Sequence, residues 1–171
     1  DRAFSHLKKA LKINPNSPTT LHIAALFYES IGLQDRAQTF VLRTIELNPL
    51  FIYGLNHCGW HSLAVGNFDQ ATTYFKKALT LQPELVPSLN GYAFTLLMKN
   101  KIQAAQEILD RARPLLGKVT FHFNEFQALV HAYRKEKEAA LKESKSALVY
   151  AALGEYDNAL TLLEQIPNTA P

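Results

Sequence analysis

The sequence predicts an all-α fold in which pairs of antiparallel helices stack one on the next. The first observation is that the same residue types return in several registers at a fixed step of about 34 residues. The registers are Ala37, Ala71 and Ala105; Pro15, Pro49 and Pro83; and Gly32 and Gly66, with Asn100 in the third place. The second observation is helical spacing of apolar residues within each period, as at Leu21, Ala24, Ala25 and Tyr28. A fixed period of this length is typical of stacked supersecondary units rather than one closed core.

The amino-acid composition limits the classes of protein to which the chain can belong. The 171 residues are 47% hydrophobic and 19% charged, which suits one globular domain with a continuous core. The net charge of +3 is not gathered into a block, so nucleic-acid binding is not expected. Cys58 is the single cysteine, which favours a reducing, cytoplasmic location, and no apolar run is long enough for a membrane span. Because the chain starts at Asp1 inside a repeat, we expect a fragment of a longer protein.

Each predicted repeat has the same order of helices and turn residues. Residues 1–17 supply only the second helix of a pair, and full repeats are predicted at about 18–51, 52–85 and 86–119. In the first of these, Gly32 breaks the first helix, because glycine tolerates the left-handed cap conformation. Asp35 then opens the second helix at the positive end of its dipole. Pro49 ends that helix, since proline disfavours helical geometry in the residue before it.

The period shortens toward the end of the chain. Residues 128–143 align with residues 147–164, for example Ala140 with Ala159, which is a much smaller step than the one between the earlier repeats. We therefore predict a shortened repeat at 120–143 and a terminal repeat at 144–167, all within a single domain of residues 1–171.

Small residues recur where the helices of each pair should cross. Ala25, Gly59 and Ala93 share one register, and helices that approach closely need small side chains at the crossing. The best-formed repeat, residues 59–83, has its pattern carried by Gly66, Phe68, Ala71, Phe75, Ala78 and Pro83. At this period, the pattern resembles the tetratricopeptide repeat. The resemblance covers nearly the whole chain and implies a right-handed α-solenoid superhelix.

The resemblance also implies where a ligand would bind. In that family the first helix of each pair lines a concave groove, and the corresponding positions here are His22, Leu26, Glu29, Asn56, Trp60, Leu63, Asn90, Phe94 and Leu97, followed by Glu125, Leu129 and Ala132. The amides of Asn56 and Asn90 could hydrogen-bond an extended peptide, or they could simply be solvated. Trp60 is either a binding anchor or part of the packing between helices.

Other kinds of site are not favoured. His57 and His61 have a metal-compatible spacing, but no acidic residue adjoins them and Cys58 between them should face the core. The family's carboxylate-binding groove needs basic residues, whereas Leu26, Trp60 and Phe94 occupy those places. No polar cluster breaks the repeat, so the sequence predicts no metal, no cofactor and no catalytic residue.

The expected function is therefore a scaffold or adaptor that binds a peptide or helix from a protein partner, without catalysis. The alternative is a regulatory or sensory domain, because residues 147–164 are similar to repeats found in some bacterial transcriptional regulators and signalling proteins. A homodimer is a further possibility, formed through the apolar face of the first helix at Ala3, Phe4, Leu7, Ala10 and Leu11.

Overall fold

A computed structural model describes residues 2–116 and 121–165 of the chain. Within these ranges the chain forms eleven α-helices and one 3-10 turn, with no strand, which confirms the predicted all-α class. The helices are α1 Arg2–Ile13, α2 Pro18–Ser30, α3 Gln34–Leu47, α4 Ile52–Ala64, α5 Phe68–Leu81, α6 Val86–Met98, α7 Ile102–Ala112, α8 Phe121–Tyr133, α9 Lys137–Glu143, α10 Ala147–Ala152 and α11 Tyr156–Glu164.

The chain divides into two compact units. Unit 1 runs up to Gly91, and unit 2 begins at Tyr92, so the division falls inside α6. From α2 onward, two helices lie within each predicted repeat, and α1 alone lies within the half repeat. That the whole chain is one domain stays a prediction.

Turns in unit 1 are formed with a side-chain cap, which the sequence analysis did not identify, and with the two predicted glycines. Ser17 caps α2 by accepting a hydrogen bond from the Thr20 amide at 3.3 Å, with Pro18 in the first turn. Gly32 and Gly66 both have a φ of 77° at the ends of α2 and α4. This left-handed geometry strains most residues with a side chain, so it favours glycine at the two turns.

The core of unit 1 depends on close helix crossings. Helix α2 packs on α3, and α4 packs on α5, with contacts from α3 to α4 joining the two pairs. Phe75 of α5 is fully buried, and a Cβ atom added at Gly59 or Gly91 would lie only 2.6 Å or 2.3 Å from its ring. The predicted need for a small residue at Gly59 is therefore a need to make room for this phenyl ring.

Unit 2 contains the shorter elements. Helix α8 packs on α7, α9 and α10, and α10 packs on α11. Helices α9 and α10 have only seven and six residues. At two turns a residue other than glycine adopts the left-handed geometry: Asn100 has a φ of 55° and Lys135 a φ of 63°. The buried Gln127 amide donates to Gln106 Oε1 at 3.0 Å, so its polar group is satisfied inside the unit.

Candidate functional site

Unit 1 contains an open pocket of about 530 Å³. Helix α4 contributes most of its wall, and α2 contributes the opposite side. The lining residues are His22, Leu26, Glu29, Gln34, Tyr53, Asn56, His57, Trp60, His61 and Ala64. The pocket is thus formed by the first helices of two successive pairs, with Gln34 of α3 at one edge.

Five of the nine predicted groove residues line this one pocket. They are His22, Leu26 and Glu29 on α2, together with Asn56 and Trp60 on α4. These five positions, which were chosen from the repeat register, lie around one pocket, although the whole of α3 separates their two helices in the sequence. Whether these side chains contact a ligand stays a prediction.

The other predicted groove residues do not line the pocket. Leu63 is half-buried on α4, and Asn90 is buried. In unit 2, Phe94 stacks on Phe126 with ring centroids 5.4 Å apart, and Leu97 is only 1% exposed. Leu97 therefore offers no surface to a ligand in this structure.

The positions proposed from the shortened repeat lie mainly inside unit 2. Leu129 and Ala132 of α8 are buried, and Glu125 is half-buried. Helix α8 also packs on α10.

A hydrogen-bonded chain of two histidines and a glutamate crosses the pocket wall. Nε2 of His57 lies 2.6 Å from Glu29 Oε1, and Nδ1 of His57 lies 3.4 Å from Nδ1 of His22. A carboxylate only accepts, so Nε2 of His57 carries a proton and donates it. Of the two facing Nδ1 atoms, one must donate and the other accept, so they share a single proton.

Burial affects the charge of this chain. His57 is 6% exposed, whereas the Glu29 side chain remains 31% exposed at the pocket surface. Burial lowers the pKa of His22, and the neighbouring His57 lowers it further, although Glu29 acts in the opposite direction. The uncharged form of His22 is therefore favoured.

The aromatic residues have mixed roles. Trp60 is half-buried, contacts Phe75 edge to face at 5.7 Å, and also lines the pocket. Tyr53 is 58% exposed, and its ring lies 6.5 Å from that of His22. The Trp60 ring thus packs internally and forms part of the pocket wall, and its action as a binding anchor stays a prediction.

The two asparagines are held by the protein in different ways. Asn56 accepts a hydrogen bond from Ser88 Oγ at 2.9 Å, which leaves its NH₂ group to donate toward the pocket. Among the described residues, Oδ1 of the buried Asn90 has no hydrogen-bond partner. Asn90 is therefore buried rather than solvated, whereas Asn56 lines the pocket.

The histidine and cysteine residues do not assemble a metal site. In the described ranges, no group of three His, Cys, Asp or Glu side chains is arranged to hold a metal ion. Cys58 is buried, and burial raises the pKa of its thiol to about 12, so the thiolate that metals bind is disfavoured.

Sequence reasoning missed Tyr53, Gln34 and the partnership of His57 with His22 and Glu29. The signal was present, because the separation of His57 from His22 is one repeat period plus one residue. Side chains at equivalent places in successive repeats are neighbours, so the pair could have been found by comparing registers.

Comparisons with known proteins agree with the fold. A sequence model of the family described as Tetratricopeptide repeat matches residues 62–118, one third of the chain. No curated protein matches the sequence. No helix within the described ranges has the length and apolar character needed to cross a bilayer.

Solved structures of similar fold include a thermophilic TPR protein of Thermus thermophilus, at TM-score 0.70 and 19% identity over 90% of this chain and 93% of that one. YrrB, a TPR protein with an unusual peptide-binding site, matches at TM-score 0.64 and 18% identity over 95% and 93%. The APC/C hetero-tetramer Cut9–Hcn1 matches at TM-score 0.75 and 15% identity over 96% of this chain and 36% of that one. The matched family model and these solved structures agree with the helix pairs described above, so the chain has the fold of tetratricopeptide-repeat proteins.

Proposed function

We propose that this chain is a protein-interaction module that binds an extended peptide in the α2–α4 pocket and carries out no catalysis. The observation that supports the proposal most directly is the pocket itself, which combines exposed apolar surface with a few polar groups. Leu26 is 48% exposed and lines the pocket together with Tyr53 and Trp60. A cluster of exposed apolar residues in a pocket is typical of a binding site, whereas a single exposed apolar residue is not.

Polar groups at the pocket suit a peptide main chain. The Asn56 NH₂ group and the Gln34 amide can pair with peptide carbonyl or N–H groups, while Leu26 and Trp60 contact apolar side chains. Nucleic acid is a poorer ligand for this surface, since no lysine or arginine lines the pocket and phosphate binding depends on such residues.

Selection from a random peptide library tests this function. Peptides enriched on the wild-type chain should lose about tenfold or more in affinity with Trp60→Ala, because a buried aromatic anchor concentrates binding energy. Leu26→Ala should weaken the same peptides, and Leu81→Ala on α5 provides a control at a similarly exposed leucine outside the pocket.

Thermal melts and circular dichroism must accompany these variants, because Trp60 also contacts the core residue Phe75. Folded Trp60→Ala and Leu26→Ala chains that keep wild-type affinity would exclude the pocket as the binding surface.

Self-association through α1 is a second proposal. Leu7 is buried and Phe4 stacks on Phe27 of α2 with centroids 5.6 Å apart, so part of the apolar face is already covered. Phe4, Ala10 and Leu11 remain half-exposed and could contact a second copy. A cytoplasmic location and a regulatory role stay predictions, and the helix pair α10–α11 suits a scaffold and a regulator equally.

A further inference from the structure

The charges at the pocket indicate which class of peptide it accepts. We infer that the bound segment carries a lysine or arginine side chain whose charge pairs with Glu29 and whose aliphatic part lies against Trp60 and Tyr53. This inference rests on the proposed peptide-binding function and adds the chemistry of the partner.

Glu29 is the first part of the argument. Among the ten lining residues it is the single Asp, Glu, Lys or Arg, so the pocket contains a carboxylate with no cationic lysine or arginine to neutralise it. Its Oε1 atom accepts from His57, but a carboxylate has about four acceptor positions. With nearly a third of its side chain exposed, Glu29 can accept a further donor from a ligand.

The histidines do not turn the pocket into an anion site. His57 directs its Nε2 proton at Glu29, and its Nδ1 atom is occupied by His22. The two facing Nδ1 atoms share one proton, so at most one of the two rings is cationic while this contact persists. Within this chain of three side chains, one cationic ring would only balance Glu29, so His22, His57 and Glu29 together become positive only when both rings are protonated.

The walls of the pocket favour the same ligand. Indole and phenol rings attract a cation through the negative face of the π system, and the indole is the stronger of the two. The methylene groups of lysine and arginine pack on apolar surface while the charged head stays solvated or paired. Trp60, Tyr53 and Leu26 provide that surface within one pocket that also contains Glu29.

Four probe peptides test the inference. They are acetylated, amidated pentapeptides of sequence Ala-Ala-Xaa-Ala-Ala, in which Xaa is lysine, arginine, norleucine or glutamate. Because Trp60 is the single tryptophan of the chain, its fluorescence reports occupancy of this pocket during a titration. At low salt we expect the lysine and arginine peptides to bind about threefold to tenfold tighter than the norleucine peptide, with the glutamate peptide weakest.

Glu29→Gln should abolish this preference while keeping an oxygen that accepts from His57 Nε2. Glu46→Gln is the matched control, since it removes the same charge from an exposed glutamate of α3 that pairs with Arg43 outside the pocket. It should leave the preference unchanged, which separates a local effect from a change in net charge.

Acidification gives an independent readout. The titratable groups lining the pocket are His22 and Glu29 from α2, and Tyr53, His57 and His61 from α4, while α3 contributes the neutral Gln34. The pKa of His22 is lowered from its ordinary value of 6.5, so this ring gains its charge only below that pH. The affinity for the lysine peptide should therefore fall as pH decreases from 6.5 to 5, and affinity for the norleucine peptide should change less.

The outcomes separate the two proposals. Equal affinity for lysine and norleucine peptides, with no effect of Glu29→Gln but a loss with Leu26→Ala, would overturn the basic-ligand inference and leave peptide binding standing. Tightest binding of the glutamate peptide would overturn the inference as well. No change in Trp60 fluorescence with any of the four peptides at millimolar concentration would overturn both.

Discussion

At the scale of single residues, Phe75 shows how one side chain constrains several others. Its ring is fully buried in unit 1, and both Gly59 of α4 and Gly91 of α6 approach it more closely than a Cβ atom could. Gly within a helix normally costs about 1 kcal/mol relative to Ala, so these glycines are tolerated for the space that they leave.

Gly59→Ala should therefore destabilise the chain despite the better helix propensity of alanine. The new methyl group would lie 2.6 Å from Phe75 Cε1, and this ring is fully buried. We expect a loss of about 1–3 kcal/mol in the free energy of unfolding, measured by chemical denaturation. Phe75→Leu should partly rescue Gly59→Ala, and strictly additive losses in the double variant would contradict this explanation.

Lys135 illustrates the opposite case, in which a side chain occupies a position that suits glycine. Its φ of 63° is left-handed, which costs a residue with a Cβ atom about 1–2 kcal/mol. After the greater flexibility of glycine in the unfolded chain is subtracted, Lys135→Gly should stabilise unit 2 by up to about 1 kcal/mol. Asn100→Gly is the control and should gain less, because asparagine adopts this geometry more readily. A lower melting temperature for Lys135→Gly would refute the argument.

At the scale of helices and turns, the sequence predicted most of what the structure contains. Gly32, Gly66 and Asn100 each mark a real left-handed turn, because a backbone requirement of this kind restricts residue type directly. Helices α9 and α10 are short and lie in the part of the chain where the sequence repeats at a smaller step, although the repeat boundaries themselves stay a prediction.

Hydrogen bonds between particular side chains were harder to predict, because the sequence pattern does not specify the rotamer of each side chain. The link from His57 to Glu29 spans 28 residues, and that from Asn56 to Ser88 spans 32. Both join neighbouring repeats, so their registers are predictable in outline. The burial of Leu97 was not predicted, because a groove position and a core position on one helix are separated by a small rotation.

Helix α10 provides a test of capping in a very short element. Ser146 accepts from the Val149 amide at 3.3 Å, and the helix it caps has only six residues. Ser146→Ala should cost about 1 kcal/mol and expose the amides of α10 to hydrogen exchange, because so short a helix has few other contacts along its backbone. Asn67→Ala, at the cap of the 14-residue α5, should cost a similar amount without local fraying. Unchanged exchange at Val149 and Tyr150 in Ser146→Ala would contradict the expected role of this cap.

At the scale of the whole molecule, the fixed repeat period decided the fold, because repetition at that step leaves few architectures open. It decided less about function, since proteins of one fold bind many different partners. Five of the predicted groove positions line the α2–α4 pocket, because positions in one repeat register lie near one another; that they bind a ligand stays a prediction. The charge of the pocket was not predicted, because that property depends on how His22, His57 and Glu29 share their protons.

Self-association of the chain is the last expectation, and it concerns the face of α1 that α2 leaves uncovered. Phe4 and Leu11 are half-exposed on this face, whereas a stable protein interface buries about 800 Å² on each partner, which takes many more residues than these two. We therefore expect light scattering to give the monomer mass of 19.2 kDa at low concentration and a higher average mass only at about 100 μM or more. Phe4→Ser combined with Leu11→Ser should abolish the increase, whereas Lys9→Ser, at an exposed position of the same helix, should not. Leu7 is unsuitable for this test because it is buried and its replacement would disturb packing within unit 1. A mass that stays at 19.2 kDa over the whole concentration range would show that contact between α1 and α2 already covers enough apolar surface to keep the chain monomeric.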